Sequence, residues 1–286
     1  MFILIGIGVV FGCVIGGFIL MGGHIEILIQ PIEALVILGA ATGAMIIGNP
    51  VTVLKGLGGA FGAMFKGAPY KKDDYLELLS MQFALFKLAK SKGNLALEQH
   101  IENPHESSLF NQFPGFAKNH HAVDFICDYL RLVTLGTENP HELEALIDEE
   151  LETHHQEQHN LVAAIQNMAD GTPALGIVAA VLGVINTMGL ITEPPEVLGH
   201  HIGAALVGTF LGVLIAYGLL GPMANAMKAA FDAESKYYQS IKAGLLAHIA
   251  GHPPAVSVEF ARKALFSDVR PSFKEVEDAT GKVLPV

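Results

Sequence analysis

Three closely spaced histidines come nearest to a metal site in this chain. His155 and His159 are one helical turn apart and would share a helix face, with His154 beside them. Two imidazoles on one face can hold a metal when a third ligand joins them. The alternative is a solvated helix face, because glutamates surround the histidines and no further spaced ligand set accompanies them. We therefore predict no metal site and no cofactor.

The sequence carries no pattern typical of an enzyme. It has no phosphate-binding glycine loop, and no serine, histidine and aspartate can be argued to form a catalytic set. Gly6 and Gly8 belong to a long apolar run, which excludes a nucleotide motif. Cys13 and Cys127 are expected in a membrane and in a reducing cytoplasm, so we predict neither a disulfide nor metal ligation. The chain is predicted not to be an enzyme.

Four apolar stretches contain no Asp, Glu, Lys or Arg. They cover residues 2–21, 34–54, 173–192 and 202–221. Each has about 20 residues, the length needed to cross a hydrocarbon core about 30 Å thick. They form two hairpins separated by a long polar segment. We therefore predict an all-α membrane protein with four transmembrane helices in two hairpins, a large helical cytoplasmic loop and a helical cytoplasmic C-terminal segment.

The distribution of positive charge predicts the orientation of these helices. All 17 Lys and Arg lie in residues 55–172 or after residue 221, and the two short loops between paired spans have none. Because positive residues stay on the cytoplasmic side, both polar segments and both termini are expected inside the cell. The predicted domains are 1–54, 55–172, 173–221 and 222–286. The net charge of −11 argues against nucleic acid as a partner.

The polar segments are predicted to be helical. Apolar residues from Leu76 to Phe86 repeat at helical spacing, on a helix that should end near Gly93. Asn103 and Asn139 each precede Pro-His-Glu, the signature of a capped helix start with proline at its first position. The second of these helices should run to about Asp170. Neither polar segment is large enough to bury much apolar surface, so we expect helical extensions rather than a separate compact domain.

Small residues recur at four-residue spacing within the spans, so each set lies on one helix face. The sets are Gly8, Gly12 and Gly16; Gly39 and Gly43; and Ala204, Gly208, Gly212 and Ala216. Close helix packing and a smooth face on which helices slide are both consistent with this pattern. Thr209 lies beside the last set and could line a narrow polar path.

Two prolines flank the second hairpin. Pro173 opens the third predicted span and Pro222 follows the fourth, both on the cytoplasmic side. They could simply begin and end helices, because proline is tolerated in a first turn and stops a helix elsewhere. Alternatively, they could be hinges between the membrane spans and the cytoplasmic helices.

Several long motifs, in order along nearly the whole chain, resemble the MotA family of flagellar motor stator subunits, within the MotA/TolQ/ExbB superfamily. The motifs are Ile101-Glu-Asn-Pro104, Asp124-Phe-Ile-Cys-Asp-Tyr-Leu-Arg131, Glu144-Ala-Leu-Ile-Asp-Glu-Glu150, Pro173-Ala-Leu-Gly-Ile-Val-Ala-Ala-Val-Leu-Gly183, Val207-Gly-Thr-Phe-Leu-Gly212 and Arg270-Pro-Ser-Phe273.

This resemblance implies an inner-membrane protein that assembles as a pentamer around a single-span, peptidoglycan-binding MotB-type partner. The partner would supply the membrane aspartate that takes up the ion, which fits the absence of carboxylates in these four spans. Lys90 or Lys92 and Glu98 match the basic and acidic positions of a patch that contacts the FliG-type rotor protein.

The resemblance also changes the interpretation of three positions in the second hairpin. Pro173 and Pro222 match prolines tied to torque generation in the family. Ala180 stands where sodium-driven relatives have threonine, which favours protons. The resulting prediction is a proton-conducting stator subunit that couples ion flow to torque. The alternatives are an ExbB/TolQ-like motor that energises outer-membrane processes and a membrane scaffold that conducts nothing.

Overall fold

A computed structural model describes residues 2–67, 69–137 and 139–284, and within these ranges the chain is helical, with no β-strand. The α-helices are α1 (Phe2–Leu20), α2 (Ile25–Leu28), α3 (Pro31–Gly48), α4 (Val51–Lys66), α5 (Lys72–Lys92), α6 (Glu98–Ile101), α7 (Pro114–Ala117), α8 (His120–Thr134), α9 (Pro140–Met188), α10 (Pro195–Ile215), α11 (Gly221–Ile249), α12 (Pro254–Lys263) and α13 (Phe273–Thr280). Two 3₁₀ turns, Asn94–Leu97 and Phe110–Gln112, and one π-helical turn, Ala216–Leu220, complete the set.

The chain forms two compact units. One, here called the membrane unit, comprises residues 1–67 and 156–230, and the other, the polar unit, comprises residues 68–155 and 231–286. Four helical stretches are long and apolar enough to cross a membrane: Phe2–Leu20, Ile25–Gly48, Pro140–Met188 and Pro195–Ile249. These correspond to the four predicted spans, although their ends differ.

The second span ends earlier than predicted. Helix α3 stops at Gly48, six residues before the predicted end at Leu54. Asn49 has an extended backbone (φ −131°, ψ 143°), because the ring of Pro50 disfavours the helical conformation in the residue before it. The chain then enters a separate helix, α4. The sequence did not predict this helix, because residues 34–54 contain no charged residue and are predicted to form one span.

Helix α4 is amphipathic. Val53, Leu57 and Met64 are buried along one face, whereas Lys55 and Lys66 are exposed. The buried face packs in the membrane unit, where a Cβ at Gly56 would come 2.9 Å from a Leu161 methyl group. The predicted boundary between residues 54 and 55 therefore lies inside a helix.

Helix α9 begins as predicted and then continues past Pro173. Asn139 caps its start, because its Oδ1 accepts the His141 backbone amide at 3.1 Å and its Nδ2 donates to Glu142 Oε1 at 2.9 Å. The expectation that Pro173 opens a new helix is wrong, since it lies inside the 49-residue helix. Proline removes one backbone hydrogen bond there, but the helix on both sides is otherwise complete.

Pro222 does not end its helix either. The helix widens into the π-turn Ala216–Leu220 and resumes as α11 at Gly221, with Pro222 as its second residue. Because Pro222 has no N–H, the carbonyl four residues earlier, on Gly218, loses its usual helical donor. The π-turn at this point accommodates the missing hydrogen bond, and single π-turns within α-helices commonly have this role.

The polar unit has a hydrophobic core, contrary to the expectation of open helical extensions. Phe86, Phe110, Ile126 and Ile241 are fully buried in one cluster that joins the 68–155 segment to the C-terminal segment. Tyr70 and Tyr237 stack with ring centroids 3.9 Å apart. Both segments contribute residues to this core, so together they bury more apolar surface than either could alone.

The two predicted boundaries in the polar loop had different outcomes. Helix α5 ends at Lys92, and Gly93 adopts φ +84°, so the predicted stop near Gly93 is confirmed. The predicted helix start at Asn103 is wrong, because the residues that follow form turns. There Ser107 Oγ lies 2.8 Å from His100 Nδ1 and accepts the Phe110 amide at 3.2 Å, which directs the chain into a 3₁₀ turn.

Candidate functional site

Helices α9 and α10 approach each other along a seam of small residues. A Cβ built on Gly212 would lie 2.8 Å from Gly176 Cα and 3.1 Å from the Thr172 carbonyl oxygen. A Cβ on Gly183 would lie 2.8 Å from Ala205 Cβ. Both contacts are closer than a substituted side chain tolerates, so backbone meets backbone along this interface. Small residues allow helices to pack this closely in a membrane.

The close packing predicted from the small-residue spacing therefore applies to Gly208 and Gly212. Gly176 on α9 faces both of these glycines, and Gly183, seven residues further along α9, packs against Ala205. By contrast, a Cβ on any small-set glycine of α1 or α3 meets nothing within 4 Å. No residue of α1 is buried within this chain. Much of the surface of that helix is therefore available to lipid or to other chains.

The two residues predicted to line an ion path both adjoin the seam. A Cβ on Gly208 would lie 3.2 Å from the Ala180 backbone nitrogen, so the chain segments that carry Ala180 and Thr209 are in contact. Both side chains are half-buried. Thr187, further along α9, is buried and donates its hydroxyl to the Gly183 carbonyl oxygen at 2.8 Å.

The two prolines lie toward one end of the same helix pair. Thr172, next to Pro173, is fully buried and donates Oγ1–H to the Met168 carbonyl oxygen at 2.6 Å. One turn before it, Ala169 is buried against Ile215 and Leu220, the last of which ends the π-turn before Pro222. At this end of the seam, a proline therefore interrupts the backbone hydrogen bonds of each helix.

The charged residues Lys90, Lys92 and Glu98, here called the charged patch, are exposed at the end of α5 and the start of α6. The 3₁₀ turn Asn94–Leu97 joins these two helices and carries the highly exposed Leu95. The patch is therefore held on short, rigid elements rather than on a long loop.

Arg131 braces the helix that presents Glu98, a role that the sequence did not reveal. Its guanidinium donates to Glu102 Oε1 at 3.0 Å, to Asp128 Oδ1 at 2.6 Å and to the Ile101 carbonyl oxygen at 2.8 Å. The hydrogen bond to Glu102 and the charges of Glu102 and Asp128 raise the pKa of Arg131. These bonds join α6 to α8 and limit the movement of Glu98.

His100 makes the stability of this region depend on pH. Burial and the charge of Lys92 lower the pKa of His100. The unfolded chain therefore takes up a proton at this site at higher pH than the folded chain does. Stability is retained above about pH 6.5, the ordinary histidine value, and is lost as the pH falls below it.

We expect the melting temperature of the polar unit to fall between pH 7.5 and 5.5, with His100 contributing at most about 1.4 kcal/mol per pH unit. Thermal melts of the wild type and His100→Gln should show a smaller pH dependence in the variant. Equal slopes for the two proteins would contradict this assignment.

The predicted histidine cluster shows no metal-binding geometry. In the part of the chain that the structure describes, no group of three or more His, Cys, Asp and Glu side chains is placed to hold a metal ion. His154 instead meets the edge of the Tyr238 ring, with centroids 6.1 Å apart. Cys127 is buried, and burial raises the pKa of its thiol to about 12, which makes it unreactive.

Two family models match the chain. Residues 4–93 match the model "Motility protein A N-terminal", and residues 118–240 match that of the MotA/TolQ/ExbB proton channel family. The chain is 41% identical to motility protein A of Salmonella typhimurium over 97% of its own length and 94% of the relative's. It belongs to the motility protein A family. Membership over the full length favours the motility branch of the superfamily over the ExbB/TolQ-like alternative.

Other relatives and solved structures agree with this assignment. Motility protein A of Escherichia coli is also 41% identical over 97% of this chain and 94% of its own, and the chemotaxis protein LafT of Vibrio parahaemolyticus is 37% identical over 96% of both chains. The flagellar MotAB stator complex of Bacillus subtilis matches with a TM-score of 0.72 at 27% identity, over 90% of this chain and 92% of that one. C. jejuni MotAB shares the fold, with a TM-score of 0.78 at 20% identity over 94% and 98% of the two chains. The chain is a multi-pass inner-membrane protein.

Proposed function

We propose that this chain is the proton-conducting stator subunit of a bacterial flagellar motor and that it couples proton flow to torque on the rotor. The observation that carries the proposal is the 41% identity to motility protein A over almost the whole chain. The backbone-to-backbone seam between α9 and α10, which contains Ala180 and borders Thr209, supports it physically. A tightly packed helix pair is well suited to move as one body.

A MotB-type, single-span partner that binds peptidoglycan completes the proton path. The four predicted spans contain no carboxylate, whereas proton relays through membranes characteristically use ionisable side chains. The partner's aspartate would provide this group. No residue of α1 is buried within this chain, which fits an assembly in which copies of this chain surround the partner, and we propose a pentamer.

The polar unit and both termini lie in the cytoplasm in this proposal, since every Lys and Arg belongs to the polar segments. The unit would present the charged patch to a FliG-type rotor protein. Pro173 and Pro222 would act as hinges, because both prolines leave gaps in the hydrogen-bonding of helices that continue through them.

The energies involved are compatible with this coupling. A proton that crosses about 150 mV releases roughly 3–4 kcal/mol. An exposed ion pair contributes only about 0–1 kcal/mol. One proton can therefore remake several contacts between the charged patch and a rotor.

Reversing two charges of the patch should impair swimming strongly. In Lys92→Glu/Glu98→Lys, attraction to the rotor becomes repulsion, whereas alanine at either position only removes a weak contact. We expect a severe loss of swimming speed for the double reversal and a mild loss for each alanine variant. Compensating reversals on the rotor should restore part of the speed.

The matched control is Lys274→Glu/Glu277→Lys on α13, which also reverses two exposed charges at constant net charge. It should swim normally. If the patch reversal swims as well as this control, the patch is not the rotor contact.

The driving ion should be the proton, because Ala180 replaces the hydroxyl-bearing residue of sodium-driven relatives. Swimming speed should follow the proton gradient and remain unchanged when external sodium is replaced by potassium. Speed measured by video tracking tests this directly. A motor that stops in sodium-free medium while the proton gradient is intact would refute proton drive.

A further inference from the structure

The polar unit contains an open groove of about 940 Å³ between the start of α9, the polar half of α11 and α12. Its volume lies at the upper end of those typical for ligand sites. Large apolar side chains that line it include Leu151, Leu246, Phe260 and Phe266. Phe260 is 50% exposed and Phe266 is 42% exposed, which is unusual for aromatic side chains on a soluble surface.

The charged residues that line the groove are predominantly acidic. Glu144, Asp148, Glu152 and Asp232 line it, against Lys236 and Lys242. Lys242 is already paired within the groove, since its Nζ lies 2.5 Å from Asp148 Oδ1 and 3.7 Å from Glu144 Oε1. The excess of negative charge continues along the chain, because residues 132–227 contain no Lys or Arg.

This combination of surfaces selects a basic segment with apolar side chains. Acidic walls attract Lys and Arg, and exposed phenylalanine rings can receive such cations on their faces. The groove already contains one such contact, because Lys236 Nζ lies 5.2 Å from the centroid of the Phe266 ring.

We propose that this groove binds the cytoplasmic flank of the single-span partner. The inference rests on the proposed function, which gives the chain a partner whose folded part lies outside the cytoplasmic membrane. Such a span must have a cytoplasmic end, and the positive-inside rule makes that end rich in Lys and Arg. The acidic groove and the basic flank therefore belong to the same side of the membrane and are complementary in charge.

Photo-crosslinking in the intact stator complex tests this proposal. The variants are Phe260→p-benzoylphenylalanine and Phe266→p-benzoylphenylalanine, with Phe273→p-benzoylphenylalanine as the control on an exposed aromatic outside the groove. We expect both groove positions to crosslink to the Lys/Arg-rich flank of the partner, identified by mass spectrometry, and the control not to. Crosslinks to a second copy of this chain, to a rotor protein or to nothing would each overturn the proposal.

A charge variant separates electrostatic recognition from simple proximity. Glu152→Lys should reduce the crosslink yield several-fold, and 1 M salt should do the same by screening. Glu149→Lys makes the same charge change on the same helix but outside the groove, and it should leave the yield unchanged. Equal yields for these two variants would contradict electrostatic recognition.

A failure of the groove assignment can be distinguished from a failure of the proposed stator function. Co-purification of the partner and a partner-dependent proton leak report on the stator assembly itself. If both are present while the groove positions crosslink elsewhere, only the groove assignment falls.

Discussion

Gly212→Leu should abolish swimming and proton conduction. The added side chain would begin 2.8 Å from Gly176 Cα and 3.1 Å from the Thr172 carbonyl oxygen, both backbone atoms that cannot rotate away. Overpacking of this kind typically costs about 1–3 kcal/mol, and more when backbone must move. Helices α9 and α10 would separate along the seam that contains Ala180.

The matched control is Gly199→Leu in the same helix, where a Cβ meets nothing within 4 Å. Swimming in soft agar and the thermal stability of the purified complex give the two readouts. Gly212→Ala should show an intermediate defect, because it adds a single methyl group at the same contact. Normal swimming of Gly212→Leu would show that close approach at the seam is not required.

The membrane spans could be predicted from the sequence because their signal depends on length and composition. A stretch of about 20 residues without charge has few other interpretations. The ends of the helices were harder to predict, since the effect of a single residue there depends on how the neighbouring turns pack. Pro50 ended a helix, whereas Pro173 and Pro222 did not, although all three interrupt hydrogen-bonding in the same way. Packing of the flanking turns decides between these outcomes.

The core of the polar unit could not be predicted because it joins segments far apart in sequence. Tyr70 stacks on Tyr237, and the sequence around either residue contains no pattern that predicts this contact. The role of Arg131 could not be predicted for the same reason, since two of its three hydrogen bonds reach residues of α6 and the segment after it, far away in sequence. Pairing across such distances follows from tertiary packing and leaves no periodic pattern.

The positions proposed for function came mainly from the family resemblance rather than from the residues themselves. Lys90, Lys92 and Glu98 are ordinary exposed charges by composition, and Ala180 carries no chemistry. The small-residue set of α10 was different, because its spacing alone predicted close packing at Gly208 and Gly212. The structure added the partner residues on α9 that make this contact specific.

We expect this chain to conduct protons only together with a partner that supplies a membrane carboxylate. Thr209 can hydrogen-bond a hydrated proton but cannot hold one as a base, and the four apolar stretches predicted from the sequence contain no Asp or Glu. Co-expression with the partner, after removal of any partner segment that plugs the proton path, should therefore create a proton leak. Changing the partner's membrane aspartate to asparagine should abolish the leak and leave the complex assembled.

Proton flux into vesicles that contain this chain alone is the most direct measurement. The vesicles would carry a pH-sensitive dye and an imposed proton gradient, with vesicles of the unplugged complex as the positive control. The stator assignment predicts background flux for the chain alone and a clear leak for the complex. Substantial flux through the chain alone would contradict it, since the proton path would then need no partner. A complex that assembles fully and conducts nothing would instead favour a membrane scaffold.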